Sequence, residues 1–180
     1  MRQDRGAAVV EFALIVPLFF MLVMGMITGG VAFDRKNTLS HSSREATRFG
    51  ATLAIEDTTG VPNAWLDSIA TNAITSAAGQ LVPGVRGRYI CVAYVGFKPQ
   101  GSSSADWTRT RVETGSGVTY TNGSVSTPSS WCYDDGRGSD GKQRRVQVVV
   151  GLETTLNAVL FSTNLDLRSE AVGRFEAVAG

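Results

Sequence analysis

The chain has 180 residues, and 17 Lys and Arg against 16 Asp and Glu give it a formal net charge of +1. With no basic stripe and no acidic tail, this balance argues against nucleic acid as a partner. Apolar residues make up 43% of the chain, which is ordinary for a soluble protein. Their clustering near the N-terminus is what indicates a membrane segment.

That N-terminal region combines a short basic leader, one acid and a long apolar run. The leader ends at Gly6, the acid is Glu11, and the 22 residues of 12–33 carry no charge. At about 1.5 Å per residue, such a run can cross a hydrocarbon core of roughly 30 Å as one helix. A carboxylate at its edge costs on the order of 2 kcal/mol or more. A cut between Gly6 and Ala7 would free an amine that could neutralise Glu11 along one helix or between two staggered helices.

The string RGAAVVEFALIVPLFF resembles the start of TadE-like pseudopilins, and its Gly-Ala-Ala-Val-Val-Glu-Phe part resembles the prepilin-peptidase site of type IV pilin-like proteins. The resemblance implies cleavage between Gly6 and Ala7 on the cytoplasmic side of the membrane. It makes Glu11, followed by the aromatic Phe12, the acid for assembly or processing. Pro17 falls where the family places a proline.

The same resemblance implies a function and a set of partners. The chain would be a minor pseudopilin in the assembly of Flp, or tight-adherence, pili, with no catalytic residues and no cofactor. Its partners would be a prepilin peptidase, other pilins and pseudopilins, the inner-membrane assembly platform and the lipid bilayer. REATRFGA, at residues 44–51, resembles the helix that follows the membrane segment in TadE-like proteins.

Other interpretations of the N-terminal segment stay open. Glu11 could snorkel to the interface on an uncleaved signal anchor. An ordinary secretory signal fits less well, because its apolar region spans about 7–15 residues. The alternative function is accordingly an uncleaved, signal-anchored binding or sensor module that recognises a ligand through residues 98–142. A membrane-tethered hydrolase has no candidate site in the sequence.

We divide the chain into a leader (1–6), a transmembrane and juxtamembrane helix (7–56) and an extracytoplasmic domain (57–180) that contains a variable surface excursion (98–142). Positive charges flank the apolar run on both sides, so the positive-inside rule barely decides the orientation. Long domains translocate regardless of charge. We therefore expect a single-pass protein of the inner (cytoplasmic) membrane with its N-terminus in the cytoplasm and its domain periplasmic or extracellular.

Within the first helix, Pro17 removes one backbone donor and predicts a local bend. Gly25 and Gly29 form a small-xxx-small pair that could let another helix approach, or they merely tolerate the bilayer. Beyond residue 33, apolar and small residues recur at helical spacing and predict an amphipathic continuation: Leu39, Ser43, Ala46, Phe49, Gly50 and Leu53. We assign Arg44, Glu45 and Arg48 to its solvated face and His41 to the surface.

A second helix is predicted over 63–78, with Asn63 as a possible cap and Gly79 at its end. One stripe of this helix is apolar: Leu66, Ile69, Ala70, Ala73, Ile74 and Ala77.

The rest of the chain is rich in β-formers. Strands are predicted over 86–97, 108–113, 118–125, 145–155 and 165–177, and Asn122-Gly123 is a hairpin-turn signal. Both alternating sets of the first strand are largely apolar, which predicts a central strand covered on both faces. We read the apolar residues 156–161 as a turn or short helix. The fold class is therefore α+β and pilin-like, with a long N-terminal helix and a second amphipathic helix packed on a mainly antiparallel sheet.

Cys91 and Cys132 are the two cysteines of the chain. An even count in an extracytoplasmic domain favours a disulfide, which would stabilise by roughly 3–4 kcal/mol; two buried free thiols are the alternative. No metal site is predicted, because two cysteines and one histidine do not make a ligand set. Asp134, Asp135 and Asp140 lack the spacing of a calcium loop. The aromatic residues of the excursion either contact partners or hold it to the sheet: Trp107, Tyr120, Trp131 and Tyr133.

Overall fold

The computed structural model describes residues 4–53, 63–96, 107–122, 132, 145–157 and 162–175. Two helices and five strands follow one another along the chain. They are α1 (Asp4–Thr52), α2 (Asn63–Ser76), β1 (Tyr89–Gly96), β2 (Trp107–Thr114), β3 (Gly117–Asn122), β4 (Arg145–Asn157) and β5 (Ser162–Arg174). This is the predicted α+β fold with a long apolar N-terminal helix.

The five strands form one sheet in the order β3-β2-β1-β4-β5, in which every neighbouring pair is antiparallel. β1 is the middle strand, as its two apolar faces predict. Alternate residues of a strand point to opposite faces, so Ile90 and Val92 share one face while Cys91 and Ala93 share the other. All four side chains are buried.

Both helices pack on the face of the sheet that carries Ile90 and Val92. The second half of α1 lies over β4 and β5, and α2 lies between α1 and the β1–β2 side of the sheet. The predicted apolar stripes are the buried ones: Leu39 and Ala46 of α1 and Leu66, Ile69, Ala70 and Ala73 of α2 are fully or almost fully buried. Burying a Leu or Ile side chain contributes roughly 1.5–3 kcal/mol, so these stripes hold the helices to the sheet.

Two glycines allow α1 to approach its neighbours closely. A Cβ on Gly50 would lie 2.7 Å from Ile69 Cδ1 and 3.3 Å from Val146 Cγ2. A Cβ on Gly173 would lie 2.7 Å from Thr47 Cγ2 and 3.2 Å from the Thr47 carbonyl oxygen. Real Cβ atoms essentially never lie within 3.0 Å of such an atom, so a side chain at either position would force Ile69 or Thr47 to shift, and the two glycines allow the close approach of α1 to α2 and β5.

The opposite face of the sheet has a smaller apolar cluster. It contains Cys91, Ala93, Val95, Val149 and Cys132. A disulfide joins Cys91 in β1 to Cys132, and their Cα atoms are 5.3 Å apart. The structure therefore agrees with the disulfide interpretation rather than with two free thiols.

Several predicted element bounds need correction. α2 ends at Ser76 rather than residue 78, because Ala78 and Gly79 both have positive φ angles that stop a helix. β1 begins at Tyr89 rather than residue 86, because Gly87 has a φ of +60° and residues 86–87 form a turn. α1 ends at Thr52, short of the predicted residue 56; residues 54–56 lie outside the described residues.

The hairpins also differ from their predicted positions. Leu156 was expected in a turn or short helix, but it belongs to β4 and pairs with Thr163 of β5, which begins three residues earlier than predicted. β2 and β3 turn at residues 115–116. Asn122 is the last residue of β3, and Gly123 lies outside the described residues. β2 and β3 correspond to the two strands predicted within the excursion, and both belong to the sheet.

Candidate functional site

The first candidate site is the exposed part of α1. The helix runs without interruption from Asp4 through Pro17 to Thr52; the predicted bend at Pro17 stays a prediction. Large apolar side chains are exposed from Val9 to Phe33, among them Phe12 at 69% and Phe33 at 69%. Among the described residues, α1 is the one helix long and apolar enough to cross a membrane, and none of its most apolar window is buried.

The predicted processing and assembly residues all lie in the first turns of α1. Gly6 and Ala7 have helical backbone, and Glu11 follows Ala7 by four residues. Residues four apart lie on the same face of a helix, so a new amine at Ala7 would lie about 6 Å along the axis from Glu11. The Glu11 side chain is exposed. This arrangement permits the predicted pairing, but it does not test processing.

The glycine pair of α1 is also open to approach. A Cβ placed on Gly25 or on Gly29 would meet no atom within 4 Å. Between them, the Thr28 hydroxyl donates to the Met24 carbonyl oxygen at 2.9 Å, so it is satisfied within the helix. Packing of another helix against this pair stays a prediction.

The uncharged run gives way to the domain within two residues. The Arg35 guanidinium contacts the Thr154 hydroxyl of β4, and Lys36 Nζ donates to the Arg168 carbonyl oxygen of β5. These contacts fix α1 to the sheet immediately after the run ends at Phe33. No flexible connection therefore separates the exposed half of the helix from the packed half.

Buried hydroxyl groups continue this attachment along α1. Ser42 Oγ donates to the Ala73 carbonyl oxygen of α2 at 2.7 Å, and Ser43 Oγ lies 3.1 Å from Ser169 Oγ of β5. Thr47 Oγ1 donates to the Ala171 carbonyl oxygen at 3.3 Å. On the opposite side of the helix, Arg44, Glu45, Arg48 and His41 are exposed as predicted.

A charged network that the sequence did not predict lies between α2 and the β2–β3 hairpin. Arg111 Nε donates to Asp67 Oδ1 at 2.7 Å, and its Nη2 donates to Glu113 Oε2 at 2.7 Å. The Glu113 carboxylate also contacts Arg88, while the Tyr120 hydroxyl donates to Asp67 Oδ1 at 2.6 Å. The alternation of Arg109, Arg111 and Glu113 along β2 was a signal that they share a face.

The pKa values of Asp67 and Arg111 are shifted in favour of their charged forms. Burial acts to raise the pKa of Asp67, but the hydrogen bonds from Tyr120 and Arg111 and the charge of Arg111 outweigh it, so this pKa is lowered. The same hydrogen bond raises the pKa of the Tyr120 phenol. Tyr120 thus holds α2 to the sheet. Arg109 does so as well, because it donates to the side-chain oxygen of Asn63, the residue predicted as a cap.

The remaining sequence candidates are the metal site and the aromatic and acidic residues of the excursion. No group of three His, Cys, Asp or Glu that could hold a metal ion occurs in the part of the chain that the structure describes. The acidic turn with Asp134, Asp135 and Asp140 lies outside that part, as do Trp131, Tyr133 and the side chain of Trp107. The described residues form one exposed apolar helix that packs through its second half on an α+β domain.

A helix long and apolar enough to cross a membrane continues directly into a disulfide-bonded α+β domain, an arrangement compatible with a single-pass membrane anchor. Residues 6–48 match the family model described as TadE-like protein. The resemblance is thereby confirmed for a segment that starts at Gly6 and ends within the packed half of α1. This family comprises, in general, non-enzymatic minor pilins associated with Tad pili. No curated protein and no solved structure matches the chain.

Proposed function

We propose that this chain is a minor pseudopilin that takes part in the assembly of a Tad-type pilus after a prepilin peptidase has cleaved it between Gly6 and Ala7. One observation carries the proposal. The family match begins at the glycine of the cleavage motif and extends over a helix whose apolar half is uncovered by the domain. Such a surface requires lipid or other apolar helices around it.

Cleavage would change the charge at the start of the helix. Hydrolysis of the Gly6–Ala7 amide adds water across the bond, leaving a carboxylate on Gly6 and an amine on Ala7. The new amine is positively charged at neutral pH. It lies one helical turn from Glu11, and in a bundle it can also approach the Glu11 of a neighbouring, axially shifted subunit.

This pairing gives Glu11 its role. An ionised acid within a membrane helix costs about 2.5–3.5 kcal/mol on insertion scales, and such residues occur with partners. A neighbour's amine would relieve this cost when subunits associate, so Glu11 would favour association with other pilins and pseudopilins over the free state. The single charge among the apolar residues thereby sets the axial offset between subunits.

The proposed location follows from the same arrangement. α1 crosses the inner membrane with Gly6 and Ala7 on the cytoplasmic side, within reach of the peptidase and the assembly platform. The domain is then periplasmic or extracellular, where a Cys91–Cys132 disulfide is stable.

N-terminal processing provides the direct test. We expect the protein extracted from its native host to begin at Ala7, and Gly6→Leu to keep its leader. Gly30→Leu is the matched control, because a Cβ at Gly30 meets no atom within 4 Å, and it should be processed normally. Intact mass measurement shows whether the leader is present in the wild type and in each of the two variants. A wild-type chain that still begins at Met1, or normal shortening of Gly6→Leu, would overturn the proposal and favour the uncleaved anchored module.

The role of Glu11 is tested separately. The Glu11→Leu protein should remain in the membrane fraction, because its helix is more apolar. Cells that carry it should not assemble pili, because the variant lacks the counter-charge for the amine. Leu14→Ala changes a nearby exposed residue without altering charge and is the control. Normal piliation in Glu11→Leu cells would show that assembly does not need the acid.

A further inference from the structure

β5 runs beside α1 in the same direction and in a fixed axial register. Ser43 is level with Ser169, and Thr47 is level with Ala171, as their hydrogen bonds show. Four helix residues advance about 6 Å and two strand residues about 6.6 Å, so helix and strand advance together. A position in β5 can therefore be converted into a level along the helix.

The conversion places Leu165 level with the end of the uncharged run. Leu165 precedes Ser169 by four strand residues, about 13 Å, which corresponds to about nine helix residues and leads to Asp34. A separate contact agrees. Leu165 pairs with Thr154, and Thr154 is the residue that Arg35 contacts.

The β4–β5 hairpin continues past this level. Asn164, Thr163 and Ser162 pair with Thr155, Leu156 and Asn157, and they extend the hairpin by about 10 Å. The described end of the hairpin therefore lies beside the last two turns of the uncharged run, at the level where α1 leaves the hydrocarbon.

In α1, β4 and β5, the change between charged and uncharged sequence occurs at this same level. Asp34 is the first charge of α1 after the run, Glu153 is the last charge of β4, and Asp166 is the first charge of β5. Glu153 and Asp166 face each other in the register. The twelve residues between them, 154–165, contain no charge. Helix and hairpin thus share one boundary between charged and uncharged sequence.

We propose that the end of the β4–β5 hairpin is a second membrane contact, which enters the lipid interface beside α1. The occupant is the headgroup and upper acyl region of the bilayer. Ser162, Thr163 and Asn164 are exposed and can hydrogen-bond to headgroups, and Leu165 is 37% exposed. Interfacial segments bury about 5–10 Å into this region, which matches the overhang. The inference rests on α1 spanning the membrane, as in the proposed function.

A contact of this kind would hold the domain upright. One membrane helix alone leaves the helix and its attached domain free to tilt and rotate in the bilayer as one body. A second contact beside the helix, joined rigidly to it through Arg35 and Lys36, fixes which face of the domain points along the membrane. The same uncharged surface would leave lipid when the subunit entered a fibre.

Tryptophan quenching by lipid tests the contact in the full chain reconstituted in vesicles. The probe lipid carries bromine high on the acyl chain. Thr163→Trp and Ser162→Trp place probes on the two faces of the hairpin end. Thr119→Trp is the matched control, because Thr119 is an exposed threonine of β3. The strand pairings run from Thr119 across the sheet through Cys91 and Val149 to Glu170. Thr119 therefore lies level with Glu170, four strand residues beyond Asp166 on the side away from the uncharged run. Phe20→Trp reports insertion of α1.

The chain has three native tryptophans, so the added tryptophan supplies up to about a quarter of the emission. Its fluorescence is quenched if its side chain lies in the lipid interface. We expect quenching above that of the unsubstituted chain for both hairpin variants and for Phe20→Trp, but not for Thr119→Trp. If Phe20→Trp is quenched and neither hairpin variant is, the hairpin contact is wrong while the membrane anchor stands. Absence of quenching in Phe20→Trp as well would overturn the anchor itself.

Discussion

Removal of the Cys91–Cys132 disulfide should destabilise the domain by an amount that its loop length sets. The two cysteines are 41 residues apart in sequence. Closing a loop of that length in the unfolded chain corresponds to about 4 kcal/mol in the chain-entropy treatment. For a urea m-value of about 2 kcal/mol/M, the unfolding midpoint of the reduced protein should fall by about 2 M.

Urea unfolding of the detergent-solubilised chain, with and without a reductant, measures this effect. Reduction changes no side-chain volume, which matters because Cys91 is only 2% exposed. The Cys91→Ala/Cys132→Ala variant is the control, and its midpoint should not respond to the reductant. Equal midpoints for oxidised and reduced wild type would refute the argument that this bridge constrains the unfolded chain.

Three further predictions concern packing and pH. A double-mutant cycle of Ser43→Ala and Ser169→Ala should give a coupling of about 1 kcal/mol in urea unfolding, and zero coupling would contradict the α1–β5 register. Gly173→Val should cost roughly 1–3 kcal/mol through overpacking against α1, whereas Thr163→Val in the same strand should change stability by less than about 0.5 kcal/mol. Burial raises the pKa of Tyr89 to about 12 from its usual 10.0. Between these values the unfolded chain has lost the phenol proton that the folded chain keeps, so rising pH favours unfolding. The free energy of unfolding of wild type should therefore fall by about 1.4 kcal/mol relative to that of Tyr89→Phe from about pH 8 to about pH 11, and a constant difference would contradict this.

The sequence predicted those features that rest on local pattern. The clustering of apolar residues in 12–33 identified the exposed helix, and the stripe that includes Leu66 and Ala73 identified α2 and its buried face. The apolar residues of β1 predicted a central strand, and the β-branched residues of β4 predicted a strand. In each case the period or the clustering of apolar residues was sufficient, because burial of one face is what the fold requires of that segment.

Features that depend on tertiary placement were missed. The alternation of charges in β2 shows a shared face, but it cannot show that Asp67 of α2 lies opposite Arg111. The apolar residues around Leu156 fit a turn, a short helix or a strand equally well, and the pairing with Thr163 decides among these. The charge boundary shared by Asp34, Glu153 and Asp166 became visible only after the register was known.

Because the two halves of α1 are rigidly joined, the direction in which the domain points around the helix axis depends on the number of residues in the membrane segment. Two alanines inserted between Val31 and Ala32 would turn the domain by about 200° relative to the membrane segment while lengthening the helix by only about 3 Å. Because Arg35 and Lys36 fix the sheet to α1, no linker can absorb this rotation. We expect normal processing but loss of pilus assembly, scored by surface piliation in the native host. Val31→Ala keeps the phase and should assemble normally. Wild-type piliation with the insertion would mean that the domain's orientation about the helix is irrelevant to assembly, so the junction's rigidity would have no part in it.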